Sequence, residues 1–321
     1  MRIVSLLPSA TEIVCALGLV DQLVGITHEC DYPPEALDRP VLTRNALPPG
    51  DLSSAAIDAA ISGLLDAGHS IKTVYHIDRE VLRTLHPDLI LTQQLCDVCA
   101  VSFSEVQRAV AAVGGDCRIV SLEPAGIEEI FGTIEQVGTL AGVPERAAAL
   151  VASLRARLAR VADAVGPADR RPRVWCGEWL DPPFGAGHWV PEQIRLAGGE
   201  EIFGRAGQPS ERVTWEAVAS LSPQVAVLMP CGYDLQGTLR DTERTAPPPG
   251  WQELPAVRAG QVYAVDASAY FSRPGPRVVD GVEILAHILH PDRFPVPPPG
   301  RMARLQPGRS AWAGTAPIGM E

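Results

Sequence analysis

Short apolar runs of strand length recur along the chain, each followed by a turn signal and then by apolar residues at helical spacing. That alternation builds α/β units around a parallel sheet. Residues 3–7 read as a buried strand, and Pro8 with Ser9 or Thr11 opens a helix over 11–17 that closes at Gly18, a residue suited to the left-handed position past a helix end. A second strand over 23–27 runs into His28-Glu29-Cys30-Asp31-Tyr32 and stops at Pro33-Pro34, because proline supplies no N–H to a ladder. The stretch 40–75 is less regular and contains a helix over 55–67. A helix over 81–85, a turn at His86-Pro87-Asp88, a strand over 89–92, a helix over 104–113 and a strand over 117–121 complete a first α/β lobe.

The next stretch differs in kind. Ile130, Ile134, Val137 and Leu140, then Leu150, Leu154, Leu158 and Val161, recur at helical spacing and are interrupted only at Gly142 and Pro144. Long helices joining two lobes are expected here, a stiff connection. A second run of strands and helices follows Gly166-Pro167, with segments at 173–176, 191–197, 215–221, 225–229, 261–265 and 276–289. Past Pro291 the periodicity fades, and a poorly ordered Pro-rich tail is expected. The expected organisation is an N-terminal α/β lobe over 1–122, a bridging helical segment over 123–168, a C-terminal α/β lobe over 169–290 and a tail over 291–321.

Composition narrows the function classes. With 321 residues, 46% hydrophobic and 20% charged, the chain can bury two cores, and its apolar runs are strand-sized, which argues against membrane insertion. A net charge of -11 argues against nucleic acid, whose phosphates call for a basic surface. The partner class left is a small molecule or a metal complex. The opening MRIVSLLPSATE passes directly into a strand and a helix start without the apolar core of a signal peptide, so a cytoplasmic protein is expected; a periplasmic or extracellular one would need a leader already removed.

Seven cysteines, an odd number, do not make a disulfide framework in a reducing compartment. Five fall near the carboxyl ends of expected strands: Cys30 after LVGITHE, Cys96 and Cys99 in the Cys-x-x-Cys of LILTQQLCDVCA, Cys176 in RVWCGE and Cys231 after VAVLMPC. In an open α/β sheet those ends form the rim of the ligand crevice, so the thiols are expected to gather at one cleft. Two thiolates from one turn, joined by Cys30, His28, Cys176, Cys231 or His188, would complete a zinc or iron–sulfur site. The alternative is a pair of small buried residues, or a redox pair without metal. Cys15 and Cys117 read as core residues. His28, directly after the second strand, is either an axial ligand for cobalt or iron or a hydrogen-bonded structural residue.

Other side chains suit an organic ligand. Tyr32, Tyr75, Trp179, Trp189, Tyr233, Tyr270 and Phe271 are aromatic residues able to flank a flat macrocycle, and each also reads as lobe packing. His188 sits in Gly185-Ala186-Gly187-His188-Trp189, where glycines let the backbone approach a ligand closely. Arg273 or Arg277 would clamp a propionate or carboxylate, while Glu178, Asp181 and Asp234 near strand ends are acid–base groups or, taken singly, loop charges and helix caps. The sequence contains no phosphate loop, no HExxH and no nucleophile-elbow triad.

The segments RIVSLLPSATEIVCALGL, VGITHECDYPPE, HPDLILT, a long linking helix, EWLDPPFGAGHWVPEQIRLAGGEEIF, VTWEAVASLSPQVAVLM and AYFSRPGPRVVDGVEILAHIL span roughly residues 2–290 in this order. Together they resemble the periplasmic cobalamin-binding proteins of ABC importers, and more widely the helical-backbone receptors for iron chelates, haem and corrinoids. The resemblance implies a class III periplasmic-binding-protein fold: two Rossmann-like α/β lobes joined by a long bridging helix, with the ligand held between them and only small closure. It also implies an ABC permease partner whose arginines receive an acidic residue from each lobe; Glu216 matches the second-lobe position and Glu105 lies near the first-lobe one. The Gly185–His188 loop matches the family's cleft segment. Departures are the missing leader, the thiols and a longer 40–75 stretch. Two readings follow: a binding protein for cobalamin or a related metal chelate, doing no chemistry, or a cytosolic metalloprotein or enzyme that holds zinc or an iron–sulfur centre through the cysteines.

Overall fold

Strand β1 (Ile3–Ser5) is wholly buried and anchors a parallel sheet, because its residues pack on both faces as a strand under helical crossovers must. The computed structural model describes residues 1–45, 53–66, 75–93, 103–113, 117–167, 171–306 and 310–313. It divides into two units, Met1–Asp51 with Ala59–Pro124 and Glu128–Ser153, and Leu52–Asp58 with Ala125–Ile127 and Leu154–Glu321.

In the first unit β1 is followed by β2 (Leu23–Gly25), β3 (Thr43–Asn45), β4 (Tyr75–Ile77), β5 (Leu89–Thr92) and β6 (Arg118–Ser121). Four of them form one sheet in the order β2-β1-β5-β6, parallel throughout, while β3 and β4 pair antiparallel on their own. The helices through residue 165 are α1 (Pro8–Ala16), α2 (Ser54–Asp66), α3 (Arg79–Leu85), α4 (Phe103–Val113), α5 (Ile127–Leu140) and α6 (Pro144–Val165); the first residues of α2, up to Asp58, and the last of α6, from Leu154, belong to the second unit. The unit's core joins Val4, Leu6, Leu42, Leu82, Leu85, Ile90, Val106 and Ala109. Gly18 takes the left-handed position past α1, with φ 71°, as its place in the sequence predicts. Helix α3 starts two residues before the expected position because the Asp78 carboxylate accepts the N–H groups of Glu80 and Val81.

The second unit contains β7 (Arg173–Leu180), β8 (Pro183–Gly185), β9 (Glu200–Glu201), β10 (Val225–Leu228), β11 (Val262–Val265) and β12 (Met302–Arg304). Its helices are α7 (Val190–Leu196), α8 (Trp215–Ser220), α9 (Leu235–Arg244), α10 (Pro255–Arg258), α11 (Ala267–Tyr270) and α12 (Val278–Leu289). The sheet order is β12-β11-β10-β7-β8 with β9 beside β7; β7, β9, β10 and β11 are parallel, and β8 and β12 are antiparallel edges.

The expected disordered tail is corrected here. Residues 302–304 form β12, and Trp312 is fully buried among Trp175, Trp215 and Trp251, its ring 4.7 Å from that of Trp251. The Trp251 indole N–H donates to the Trp312 carbonyl at 2.8 Å, and the Trp312 indole N–H donates to the Thr245 carbonyl at 2.7 Å. Proline-rich composition concealed a single large aromatic anchor, whose burial offsets the ordering of the residues that carry it.

Candidate functional site

Because β7, β10 and β11 run parallel, their carboxyl ends share one edge of the second unit's sheet; Cys231 and Asp266 lie just past the ends of β10 and β11, and Glu178, on the part of β7 that runs on beyond its pairing with β10, lies beside them. Glu178 organises this rim. Its backbone carbonyl accepts the Cys231 N–H at 2.9 Å. Its carboxyl Oε1 accepts the Gly187 N–H at 3.0 Å, and the Ser210 hydroxyl donates to Oε2. Burial pushes the Glu178 carboxyl up to about 7, against the opposing pull of the bonds from Ser210 and Gly187. Glu201 on β9 is likewise pushed up to about 7, chiefly by burial, and its Oε1 accepts the N–H groups of Phe203 at 2.9 Å and Gly204 at 3.0 Å.

These carboxyl groups hold two loops against each other. A Cβ on Gly187 would overlap the Ser210 backbone nitrogen, and one on Gly204 would overlap the Ala186 carbonyl oxygen, so glycine is required at both close approaches. His188 follows with φ 50°, a left-handed backbone that a non-glycine residue seldom adopts. Its N–H donates to the Gln208 carbonyl at 2.6 Å, and its own carbonyl accepts the Gly207 N–H at 2.9 Å. The half-buried ring stands 5.7 Å from that of Trp189, and burial lowers its pKa below the usual histidine value. Burial thus favours the uncharged imidazole, in which one ring nitrogen keeps a lone pair that can accept a hydrogen bond or bind a metal.

The expected aromatic residues divide by environment. Trp179 and Tyr233 are half-buried with ring centroids 5.7 Å apart, and the Trp179 indole N–H donates to the Ser54 carbonyl at 3.1 Å. Trp189, Tyr270 and Phe271 are buried. The Trp189 indole N–H donates to the Phe271 carbonyl at 2.8 Å, and the guanidinium groups of Arg277 and Arg301 lie over the Tyr270 ring at 5.6 and 5.1 Å. Arg273 is buried in the turn that follows α11. Asp234 and Asp266 cap α9 and α11, accepting the N–H groups of Gly237 and Ala269, whereas Asp181 is exposed. Glu216 is exposed in the first turn of α8.

The first unit's rim is a hydroxyl network. Thr11 donates to Ser5 at 2.8 Å, and its Oγ1 lies 3.1 Å from the Cys30 sulfur. Thr27 and Thr43 hydroxyls are 2.7 Å apart; the Thr43 hydroxyl also meets His28 Nδ1 at 2.7 Å, and His28 Nε2 is 3.1 Å from a Glu29 carboxylate oxygen. His28 Nδ1 thus has a hydroxyl partner within the unit. Tyr32 is 43% exposed. Tyr75 opens β4 and Glu105 lies in α4, and both side chains fall outside the described residues.

The expected cysteine cluster is corrected. Among the described residues no group of three or more histidine, cysteine or acidic side chains could hold a metal ion, so neither a zinc nor an iron–sulfur site is supported. Strand β7 runs for eight residues, four more than expected, and Cys176 consequently lies within the sheet, fully buried, with its thiol pushed well above the usual range by that burial. Cys231 is exposed and Cys30 half-buried in the first unit's network, while Cys96 and Cys99 lie outside the described residues. Cys15 and Cys117, expected in the core, are half-buried, each pushed up to about 11 chiefly by burial.

Sequence reasoning missed Ser210, Gln208 and Glu201, which no motif marks, and Gln193, whose buried amide donates to the carbonyls of Tyr270 at 3.0 Å and Val278 at 2.9 Å. The one signal was the crowding of glycines at 185, 187 and 204.

Comparison with known proteins agrees with this architecture. A family model described as periplasmic binding protein matches residues 3–269. A Bacillus subtilis protein named as an uncharacterized ABC transporter substrate-binding lipoprotein, YvrC, is 26% identical over 299 residues, 91% of this chain and 81% of that one. The vitamin B12-binding protein of Vibrio cholerae is 28% identical over 293 residues, 88% of this chain and 86% of that one. Among solved structures, the periplasmic vitamin B12 binding protein BtuF of Vibrio cholerae matches with a TM-score of 0.64 at 26% identity, covering 90% of this chain and 96% of that one. A periplasmic heme binding protein from Pseudomonas aeruginosa matches with a TM-score of 0.69 at 20% identity, covering 93% and 96%, a likeness of fold alone.

Proposed function

We propose that this chain, which belongs to the periplasmic binding protein family, captures cobalamin or a closely related corrinoid and delivers it to an ABC permease. Its α/β architecture is the class III periplasmic-binding-protein fold. The family binds substrates and does not transform them. The observation that carries the corrinoid reading is the likeness to a vitamin B12-binding protein over 88% of the chain.

The site chemistry supports it. His188 on a clamped loop, its uncharged form favoured by burial, offers a nitrogen lone pair, and Trp179 and Tyr233 offer aromatic faces to a flat ring. In this reading Trp189, Tyr270, Phe271 and Arg273 shape the wall behind the ligand, with Tyr75 a further contact, and Glu216 and Glu105 are the permease contacts. Residues 123–168 serve as the bridge between lobes. The related proteins named as a lipoprotein and as periplasmic support action outside the cytoplasmic membrane, in place of the cytoplasmic expectation. Among the described residues no helix is long and apolar enough to cross a membrane.

Titration of the purified protein with hydroxocobalamin, cyanocobalamin and hemin, followed by calorimetry and absorption, tests the assignment. Saturable one-to-one binding of the cobalamins, weaker for hemin, is expected. Hemin binding without cobalamin binding would move the ligand to the haem class, and no binding of any chelate would end the proposal.

A further inference from the structure

We propose that Glu178 is the positioning residue that presents His188 to the ligand: its carboxyl group, gripped between the Gly187 N–H and the Ser210 hydroxyl, joins the loop over 185–189 to the loop over 203–210 and thereby sets the direction of the imidazole. This deepens the assignment of His188 as a ligand contact and rests on it.

The His188 backbone is left-handed, and an L residue stays in that region only where its surroundings impose it. Here hydrogen bonds on both sides impose it. Two hydrogen bonds tie the His188 peptide groups to Gln208 and Gly207, and the bond from Gly187 to Glu178 fixes the residue immediately before it. The second loop is fixed in turn at both ends, at Ser210 by Glu178 and at Phe203 and Gly204 by Glu201. Glu178 reaches both loops with one carboxyl group. The loops pack so closely at Gly187 and Gly204 that no side chain fits between their backbones, so the geometry passes from carboxyl group to imidazole without slack. Cys176 on the same strand and Glu201 on β9 are the ionisable neighbours, and both add negative charge only when ionised.

Either protonation state of Glu178 keeps the grip. A carboxylate accepts from both donors, and a neutral carboxyl accepts from Gly187 while its own O–H turns to the Ser210 oxygen. A glutamine reproduces the second pattern, with its carbonyl facing Gly187 and its amide facing Ser210. An alanine reproduces neither.

The test compares Glu178→Ala, Glu178→Gln and Ser210→Ala in the full chain. Amide exchange of the unliganded protein reads the positioning without any ligand: Glu178→Ala should speed exchange at Gly187 and His188 by about tenfold or more while leaving amides of β10 and β11 unchanged, and Glu178→Gln should restore most of the protection. Hydroxocobalamin affinity should fall by about tenfold in Glu178→Ala, less in Ser210→Ala, and recover in Glu178→Gln. Unchanged protection at Gly187 in Glu178→Ala, or a Glu178→Gln variant as impaired as the alanine, would overturn the proposal. Should Glu178→Ala not fold, the contrast between Ser210→Ala and Glu178→Gln decides. If the wild type binds no hydroxocobalamin, the ligand assignment fails while exchange still decides the role of Glu178.

Discussion

Arg157 and Glu283 meet in a two-point ion pair, Nε to Oε1 at 3.0 Å and Nη2 to Oε2 at 2.6 Å, fastening the carboxyl-terminal half of α6 to α12 within the second unit. Asp280 adds a second carboxylate 3.3 Å from Arg157 and is itself bonded to Arg301 at 2.8 Å. The forked guanidinium matches a carboxylate in a way that lysine cannot. A double-mutant cycle of Arg157→Ala and Glu283→Ala should give a coupling of about 0.5–1 kcal/mol, as for a partly exposed bidentate pair, and the coupling should shrink as salt is added. A coupling of zero at low salt would assign the pair no role in stability.

Trp312→Ala should destabilise the second unit by about 3–5 kcal/mol, the usual loss for removing a buried tryptophan from a packed core. Urea unfolding followed by fluorescence measures it. A loss under about 1 kcal/mol would contradict the placement of this residue.

Stability should fall as pH rises from about 4.5 through about 7. Glu178 and Glu201 are raised in the folded chain from 4.5 to about 7, so the native state binds more protons than the unfolded state across that window, and the associated stability is lost as each group ionises. Urea midpoints at successive pH values give the slope, and Glu178→Gln should reduce it. A flat wild-type profile would mean that these carboxyl groups are better solvated than their surroundings indicate.

Gly187→Ala should damage the site while sparing the fold. The added methyl collides with the Ser210 backbone, so the two loops must part. Loss of hydroxocobalamin affinity with a near-native circular dichroism spectrum is the expected result; full affinity would show that the loops give way freely.

Native alkylation should separate the cysteines by position. Cys231 is exposed, so it should react readily, whereas Cys176, fully buried with a thiol held protonated by burial, should react only after unfolding. Peptide mapping after iodoacetamide treatment reads both.

Much of the fold was legible from periodicity. The strand at Leu89–Thr92, the helical run at Pro144–Val165 and the parallel segments at Val225–Leu228 and Val262–Val265 all stand where apolar spacing put them. Short elements escaped, among them β3, β8 and β9, because two or three residues carry no period. Helix α9 escaped because the residues that Leu235–Arg244 buries are mostly polar, Thr238, Asp241 and Thr242 beside Leu235, so no apolar period marks it. At the site, the glycine crowding before His188 pointed to a close backbone approach. The partner carboxyl groups were invisible, since Glu178 meets Ser210 across 32 residues that no motif links. Strand ends also misled: Cys176 was placed on the rim because β7 was read as ending at that residue, yet four further residues extend the strand beyond it.

The position of Trp312 has a consequence for biosynthesis. Trp175, which begins the aromatic cluster, leaves the ribosome 137 residues before the ring that completes it. Trp215 and Trp251 emerge within that interval and cover Trp175, but their own faces toward Trp312 stay without that partner until residue 312 has been made, so the aromatic cluster is completed last at its Trp312 side.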